Sequence, residues 1–179
     1  AQSDGGIVSA TFEFTEWSHV IETLDMAKEV KEQWFFSNSS HVVDLFFHLC
    51  GVPREMSNWV SGSLGWHPSG ARFCGAGVTS QDICFSYNSD WSGPGRWGLE
   101  LITPSRRFIL RPMEKLQVIH KGTVAIEEVD VDYGLENEFK PGLLLQTRAF
   151  FSGNEKELCS LEEHCSHLDA YSKISGYKE

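Results

Sequence analysis

At 179 residues, 41% of them hydrophobic, the chain is long enough to bury one substantial core and too apolar to be a disordered segment. A formal charge of −10, with no cluster of Lys and Arg, argues against nucleic acid or an anionic membrane surface as a partner. No apolar run approaches the roughly 20 residues that span a bilayer, and the opening "AQSDGGIVSA" lacks the charged and then apolar order of a signal peptide, so the reading is a soluble, cytoplasmic chain.

In chain order, "GIVSATFEFTEW" alternates Val8, Ala10, Phe12 and Phe14 with Ser9, Thr11, Glu13 and Thr15, the period of a strand with one buried face. "NSSHVVDLFFHLCG" then reads as a helix beginning near Ser39 or Ser40 and closed by Gly51, with Pro53 beyond it. Steps of three, four and seven residues set His41, Asp44 and His48 along one stripe of that helix, while Val42, Val43, Leu45, Phe46, Leu49 and Cys50 cover most of the rest. From "EMSNWVSGSLGW" through "DICFSYNSDW", "RWGLELIT", "RRFILRP", "KLQVIH" and "TVAIEEVDVDY", short β-branched and aromatic runs separated by Gly, Pro, Ser and Asn predict consecutive, mainly antiparallel strands. "TPSR" and "HKGT" fit hairpin connections. Leu143, Thr147, Phe150 and Phe151 then repeat at helical spacing, and Ser160 to Glu163, "SLEE", forms a capping box for a last helix.

The order strand, helix, many strands, two helices predicts an α+β fold: an open, largely antiparallel sheet with helices on one face. The other face, fed by residues such as Phe12, Phe14, Phe85 and Tyr87 or their alternates, is then expected to be too apolar for water and to pair with another subunit as a homodimer or homotetramer. Cysteines 50, 74, 84, 159 and 165 form no CxxC pair and read as reduced thiols, three of them in core-like surroundings. The cluster Cys159, His164, Cys165, His167 would crowd every ligand onto one helix, and the same objection holds for His41, Asp44 and His48, so no metal site is assigned. There is no GxGxxG, no P-loop and no internal repeat.

"HVVDLFFHLCGVP" resembles the C-terminal domain of the glucose-fructose oxidoreductase and inositol dehydrogenase (Gfo/Idh/MocA) family, where a helix with an HxxD core followed by "LxG.P" lies at the active site. Further landmarks fall in the family's order: the "GGIVSATFEF" strand, a strand end near Trp91, the "RWGLELIT…FILRP" hairpin, "FKPGLLLQTRAFF", and the closing "SLEEH…YSKISGY". The resemblance implies NAD(P)-dependent oxidation or reduction of a sugar, polyol or sugar nucleotide. It makes residues 1–179 a substrate-binding and oligomerisation domain, with a Rossmann domain expected upstream. NAD or NADP would be held mainly by that domain, and none is expected on this chain alone. His41 matches the family's catalytic histidine and Asp44 the second aspartate of the pattern, while Ser37 stands four residues before His41 where the family carries an aspartate.

Oxidising an alcohol requires a group that takes the hydroxyl proton, and an imidazole suits that task because its ordinary pKa lies near neutrality. His41 is the candidate for it, with Asp44 as its support or as a structural hydrogen-bonding group. Two loops read as substrate contacts: "GWHPSGARFCGAG" offers His67 and Arg72, and "YNSDWSGPGRW" offers Trp91 and Arg96, with Asn38 ahead of the helix. Aromatic planes beside Arg and Asn suit a sugar ring and a phosphate, and the tryptophans equally suit the core of a sheet. The alternative function is a non-catalytic binding or scaffold module that retains the fold.

Overall fold

The structure, a computed structural model, describes residues 1–154, 156 and 158–177. After a short 3-10 turn at Gln2–Asp4, β1 spans Ser9–Glu13, followed by α1 (Ser18–Ile21), α2 (Lys28–Glu32) and a π-helical turn (Phe35–Ser39) that runs into α3 (Ser40–Cys50). Then come β2 (Pro53–Ser61), β3 (Arg72–Thr79), β4 (Cys84–Asp90), β5 (Gly98–Ile102), β6 (Arg106–Leu110), β7 (Leu116–His120) and β8 (Glu127–Glu128). Helices α4 (Gly134–Glu138), α5 (Leu143–Ser152), α6 (Leu161–Ser166) and α7 (Leu168–Ser175) complete the chain. The strands form one eight-stranded open sheet in the order β2-β3-β4-β1-β5-β6-β7-β8. Only β1 and β4 run parallel, because the chain crosses the sheet through α1, α2 and α3 before the β2–β3–β4 meander returns to the edge of β1. This is the expected α+β architecture.

Strand alternation decides where the core lies. Ala10, Phe12, Phe85, Tyr87, Leu99 and Leu101 are in register on one face, and α3 lies over them, with Phe46 stacked on Phe12 at 4.7 Å and tilted against Phe85 at 5.0 Å. Helix α7 lies on the same face over β2 and β3, where the Asn58 side-chain amide donates to the Lys173 carbonyl at 2.7 Å. Tyr171 of α7 stacks on Phe47 of α3 at 5.6 Å, so the two helices are joined by aromatic packing as well as by the sheet beneath them. Helix α3 ends where expected, because Gly51 has φ 83 and ψ 162, a backbone conformation that essentially only glycine adopts.

Several expectations need correction. Phe12, Phe14, Phe85 and Tyr87 all belong to the helix-covered face, and their alternates on the bare face are Thr11, Ala76, Ser86 and Asn88, all exposed, so that face is not apolar. Val8 is 48% exposed because β1 begins only at Ser9. Of the five cysteines, Cys50 alone is buried. "ARFCGAGV" is strand β3 rather than a loop: its alternate inner positions, Gly75 and Gly77, carry no side chain, which hid the strand period in the sequence. Helix α5 forms, but Leu143, Phe150 and Phe151 point outward, Phe151 at 82% exposure, and only Ala149 is buried. The short α1 and α2, with one buried residue between them, carry too little apolar pattern to be read. Among the described residues no helix is long and apolar enough to cross a membrane.

Candidate functional site

The 3.6-residue period of α3 turns Val42, Val43, Phe46, Phe47 and Cys50 into the core and leaves His41, Asp44 and His48 on the opposite stripe. That stripe forms one wall of a cavity of about 720 Å³. Cys159, Glu163 and His167, from the segment leading into and through α6, form the other wall. His41 and His48 are exposed, and Asp44 is half-buried. One Asp44 oxygen, Oδ1, accepts from the Tyr171 hydroxyl at 3.0 Å and lies 3.3 Å from His167 Nδ1. Burial and the adjacent Asp44 carboxylate push the Tyr171 phenol above its usual range, which keeps it a hydrogen-bond donor. Asp44 is therefore clamped to α7, while His41 stands exposed at the first turn of α3 with no hydrogen bond to another side chain among the described residues.

A second constellation adjoins it. Glu16 follows β1 and is 2% exposed, yet its carboxylate is well satisfied. Its Oε1 accepts from Ser39 Oγ at 2.6 Å, Asn38 Nδ2 at 2.9 Å and Trp97 Nε1 at 3.1 Å, and its Oε2 accepts from Arg96 at 2.9 Å. The Arg96 guanidinium lies 4.9 Å from the Trp17 ring and 4.7 Å from the Trp97 ring, while its side chain remains 42% exposed. His41 lies 6.4 Å from the Trp97 ring, so the two constellations meet at the N-terminal end of α3. The arrangement offers an exposed imidazole, aromatic planes and a partly exposed cation on one patch.

The structure brings His41, Asp44, Asn38 and Arg96 together at that end of α3. It does not bring the others there. His67 is fully buried, with Nδ1 2.7 Å from the Gly70 carbonyl and Nε2 2.7 Å from the Tyr177 hydroxyl. Trp91 is 1% exposed and donates to the Phe14 carbonyl at 3.0 Å. Both are core residues, as a Gly-rich flank around an aromatic permits. Arg72 is on the bare face of the sheet, opposite α3, 3.5 Å from Asp90. Ser37 turns its hydroxyl onto the helical backbone, 3.3 Å from the Trp34 carbonyl. Residues that the sequence reading does not name are Glu16, Trp17 and Tyr171, while Ser39, Cys159 and Glu163 enter it only as a helix start, part of an unassigned metal cluster and part of a capping box. For Glu16 the one signal is a carboxylate placed directly after an apolar strand; for Tyr171 there is none, because its partner lies 127 residues away.

No family model matches the chain, and no curated protein matches it by sequence. Solved structures do match. UDP-N-acetylglucosamine 3-dehydrogenase GnnA from Acidithiobacillus ferrooxidans is 13% identical with a TM-score of 0.66, covering 98% of this chain and 56% of its own. The super-repressor mutant of Gal80p from Saccharomyces cerevisiae is 13% identical with a TM-score of 0.59, covering 90% and 48%. Levoglucosan dehydrogenase in complex with NADH and levoglucosan is 13% identical with a TM-score of 0.54, covering 72% and 40%. The chain thus spans about half, or less, of the length of the structures it resembles. These are proteins of the Gfo/Idh/MocA type, and this chain has the fold of their C-terminal domain.

Proposed function

We propose that this chain is the substrate-binding domain of a longer NAD(P)-dependent oxidoreductase acting on a sugar, polyol or sugar nucleotide. The observation that carries the reading is the fold shared over 98% of the chain with a sugar-nucleotide dehydrogenase, with His41 and the Arg96–Trp97 patch at one end of α3. Residues of this chain do not fit the dinucleotide itself. Strand β1 enters α1 through Phe14-Thr15-Glu16-Trp17, with no glycine, and at the start of α3 the Asn38 and Ser39 side chains are committed to Glu16. The cofactor is therefore assigned to a Rossmann domain outside this chain, where it would supply the hydride exchange. Within this chain an imidazole nitrogen of His41 takes the substrate's hydroxyl proton. Trp97 and Trp17 present planes to the sugar ring, and Arg96, whose side chain is 42% exposed, offers a cation to an anionic group. Asp44, held by Tyr171 and His167, supports the stripe on which His41 stands.

A homodimer or homotetramer is part of the proposal, through the bare sheet face. Its small side chains, Ser57, Ala76, Ser86 and Thr11, give a flat surface, and Trp59 stands on it 63% exposed. A second reading, a non-catalytic module, is favoured by Ser37, whose hydroxyl engages the backbone rather than the patch. Steady-state kinetics of the full-length enzyme distinguish the two. His41→Ala is expected to lower turnover by roughly 10² to 10⁴ with cofactor binding unchanged. Near-normal turnover in a folded variant would remove His41 as the proton acceptor, whereas a full-length protein without turnover on such substrates would leave the binding module.

A further inference from the structure

The sequence separates two groups of metal-capable side chains, His41, Asp44 and His48 early in the chain and Cys159, His164, Cys165 and His167 late in it. The first group lies along one stripe of α3, and the second runs from Cys159, just before the Ser160 cap of α6, to His167 at that helix's end, so neither group alone surrounds an ion. Tertiary folding joins one member of the first to two of the second: a carboxylate oxygen of Asp44, the sulfur of Cys159 and a ring nitrogen of His164 lie within 4.8 Å of one another. We propose that Asp44, Cys159 and His164 bind a divalent cation of the zinc class, with a fourth position open to water in the cavity between α3 and α6.

The donor set selects the ion. One thiolate, one imidazole and one carboxylate suit a borderline-soft cation, whereas Mg²⁺ and Ca²⁺ require oxygen donors. Ligand bonds of about 2.0–2.3 Å put tetrahedral donors some 3.3–3.8 Å apart, so closure needs about an ångström of movement. That movement is available: Cys159 is exposed and precedes the Ser160 cap of α6, outside any helix. The carboxylate is already oriented, because Tyr171 and His167 both engage Asp44 Oδ1 and leave Oδ2 clear of those bonds. Such outer partners are what fix a metal-binding carboxylate. The carboxylates of Asp44 and Glu163 line the same cavity as Cys159, and these negative surroundings favour a cation. On binding, the S–H bond of Cys159 is replaced by a sulfur–metal bond and the proton passes to solvent. The consequence is structural: the ion ties the 159–164 segment to α3, across from the His41 patch. The proposal does not depend on the carbohydrate reading, since it concerns binding by this chain alone.

The test is zinc titration of the full chain against a chromophoric chelator, followed by cobalt(II) substitution. One equivalent of Zn²⁺ is expected, with a thiolate-to-cobalt charge-transfer band in the Co²⁺ form. Cys159→Ser and His164→Ala should each weaken Zn²⁺ binding by about 100-fold or more, since loss of even an outer partner costs about 10 to 100-fold. Cys165→Ser, on the same helix but outside the triad, should bind as the parent does. Circular dichroism checks that each variant remains folded, which exposed positions such as Cys159 permit. Absence of stoichiometric zinc, a cobalt form without the thiolate band, or unchanged affinity in Cys159→Ser would overturn the site. Loss of binding in Cys165→Ser would overturn it too, by placing the metal elsewhere.

Discussion

The Glu16 carboxylate is 2% exposed and accepts from Asn38, Ser39, Trp97 and Arg96, so it is the buried hub on which these donors converge. In Glu16→Gln the amide oxygen can keep the three donors now on Oε1, but the amide nitrogen then faces the Arg96 guanidinium. Because Arg96 is 42% exposed, solvent offsets part of the lost ion pair. The expected cost is about 1–3 kcal/mol, that of a buried hydrogen-bonding group left without its partner. Urea unfolding measures it, and a change below about 0.5 kcal/mol would mean that the cluster is looser than its distances imply. His48 is exposed and among the described residues its side chain makes no hydrogen bond, so His48→Ala should leave both stability and turnover of the full-length enzyme nearly unchanged.

At the scale of elements, two glycines govern how α3 and the sheet fit. Gly51 ends α3 at φ 83, and an added Cβ would stand 2.7 Å from Ser80 Oγ. Gly51→Ala is therefore expected to destabilise by about 1–3 kcal/mol through backbone strain alone. Gly75 of β3 lies directly beneath the Tyr87 ring, and a Cβ there would stand 2.6 Å from it. Tyr87 is 3% exposed and its ring cannot swing clear, so Gly75→Ala should cost about 1–3 kcal/mol by overpacking. Thermal unfolding of both variants checks this, and a near-neutral Gly75→Ala would mean the ring has room that the packing denies. The helix at Ser40–Cys50 was legible because its apolar residues recur at helical spacing up to a clear stop signal, although Ser39 and Ser40 do not cap it and a π-helical turn runs into it from Phe35. Strand β3 was not, because glycine stands where inward-facing apolar residues would have marked it.

For the whole molecule, pH dependence follows from His67. Burial holds its imidazole below the ordinary value of 6.5, so the folded chain prefers the neutral ring. Between its folded value and 6.5 the unfolded chain binds the proton and the folded chain does not. The stability this provides is complete above about pH 6.5 and falls as pH drops below it. The melting temperature should accordingly decline from pH 7 to pH 5, and His67→Gln should flatten that decline while lowering stability throughout. An equally steep decline in the variant would assign the effect to other groups. Sedimentation addresses the oligomer: a stable monomer at micromolar concentration would count against pairing through the bare face.

The sequence by itself determined the α+β class, the C-terminal end of α3 and the stripe of His41, Asp44 and His48, because each depends on a local period or a local stop signal. Only the tertiary structure decided which of these side chains have partners. Glu16 meets Arg96 across 80 residues and Asp44 meets Tyr171 across 127, distances over which no spacing rule operates. Tertiary packing also separated His67 and Trp91, sealed in the core, from Arg96, left at the surface, although all three sit in similar glycine-rich, aromatic stretches. Burial is a property of the packed layers, and a sequence window cannot see which layer will close over it.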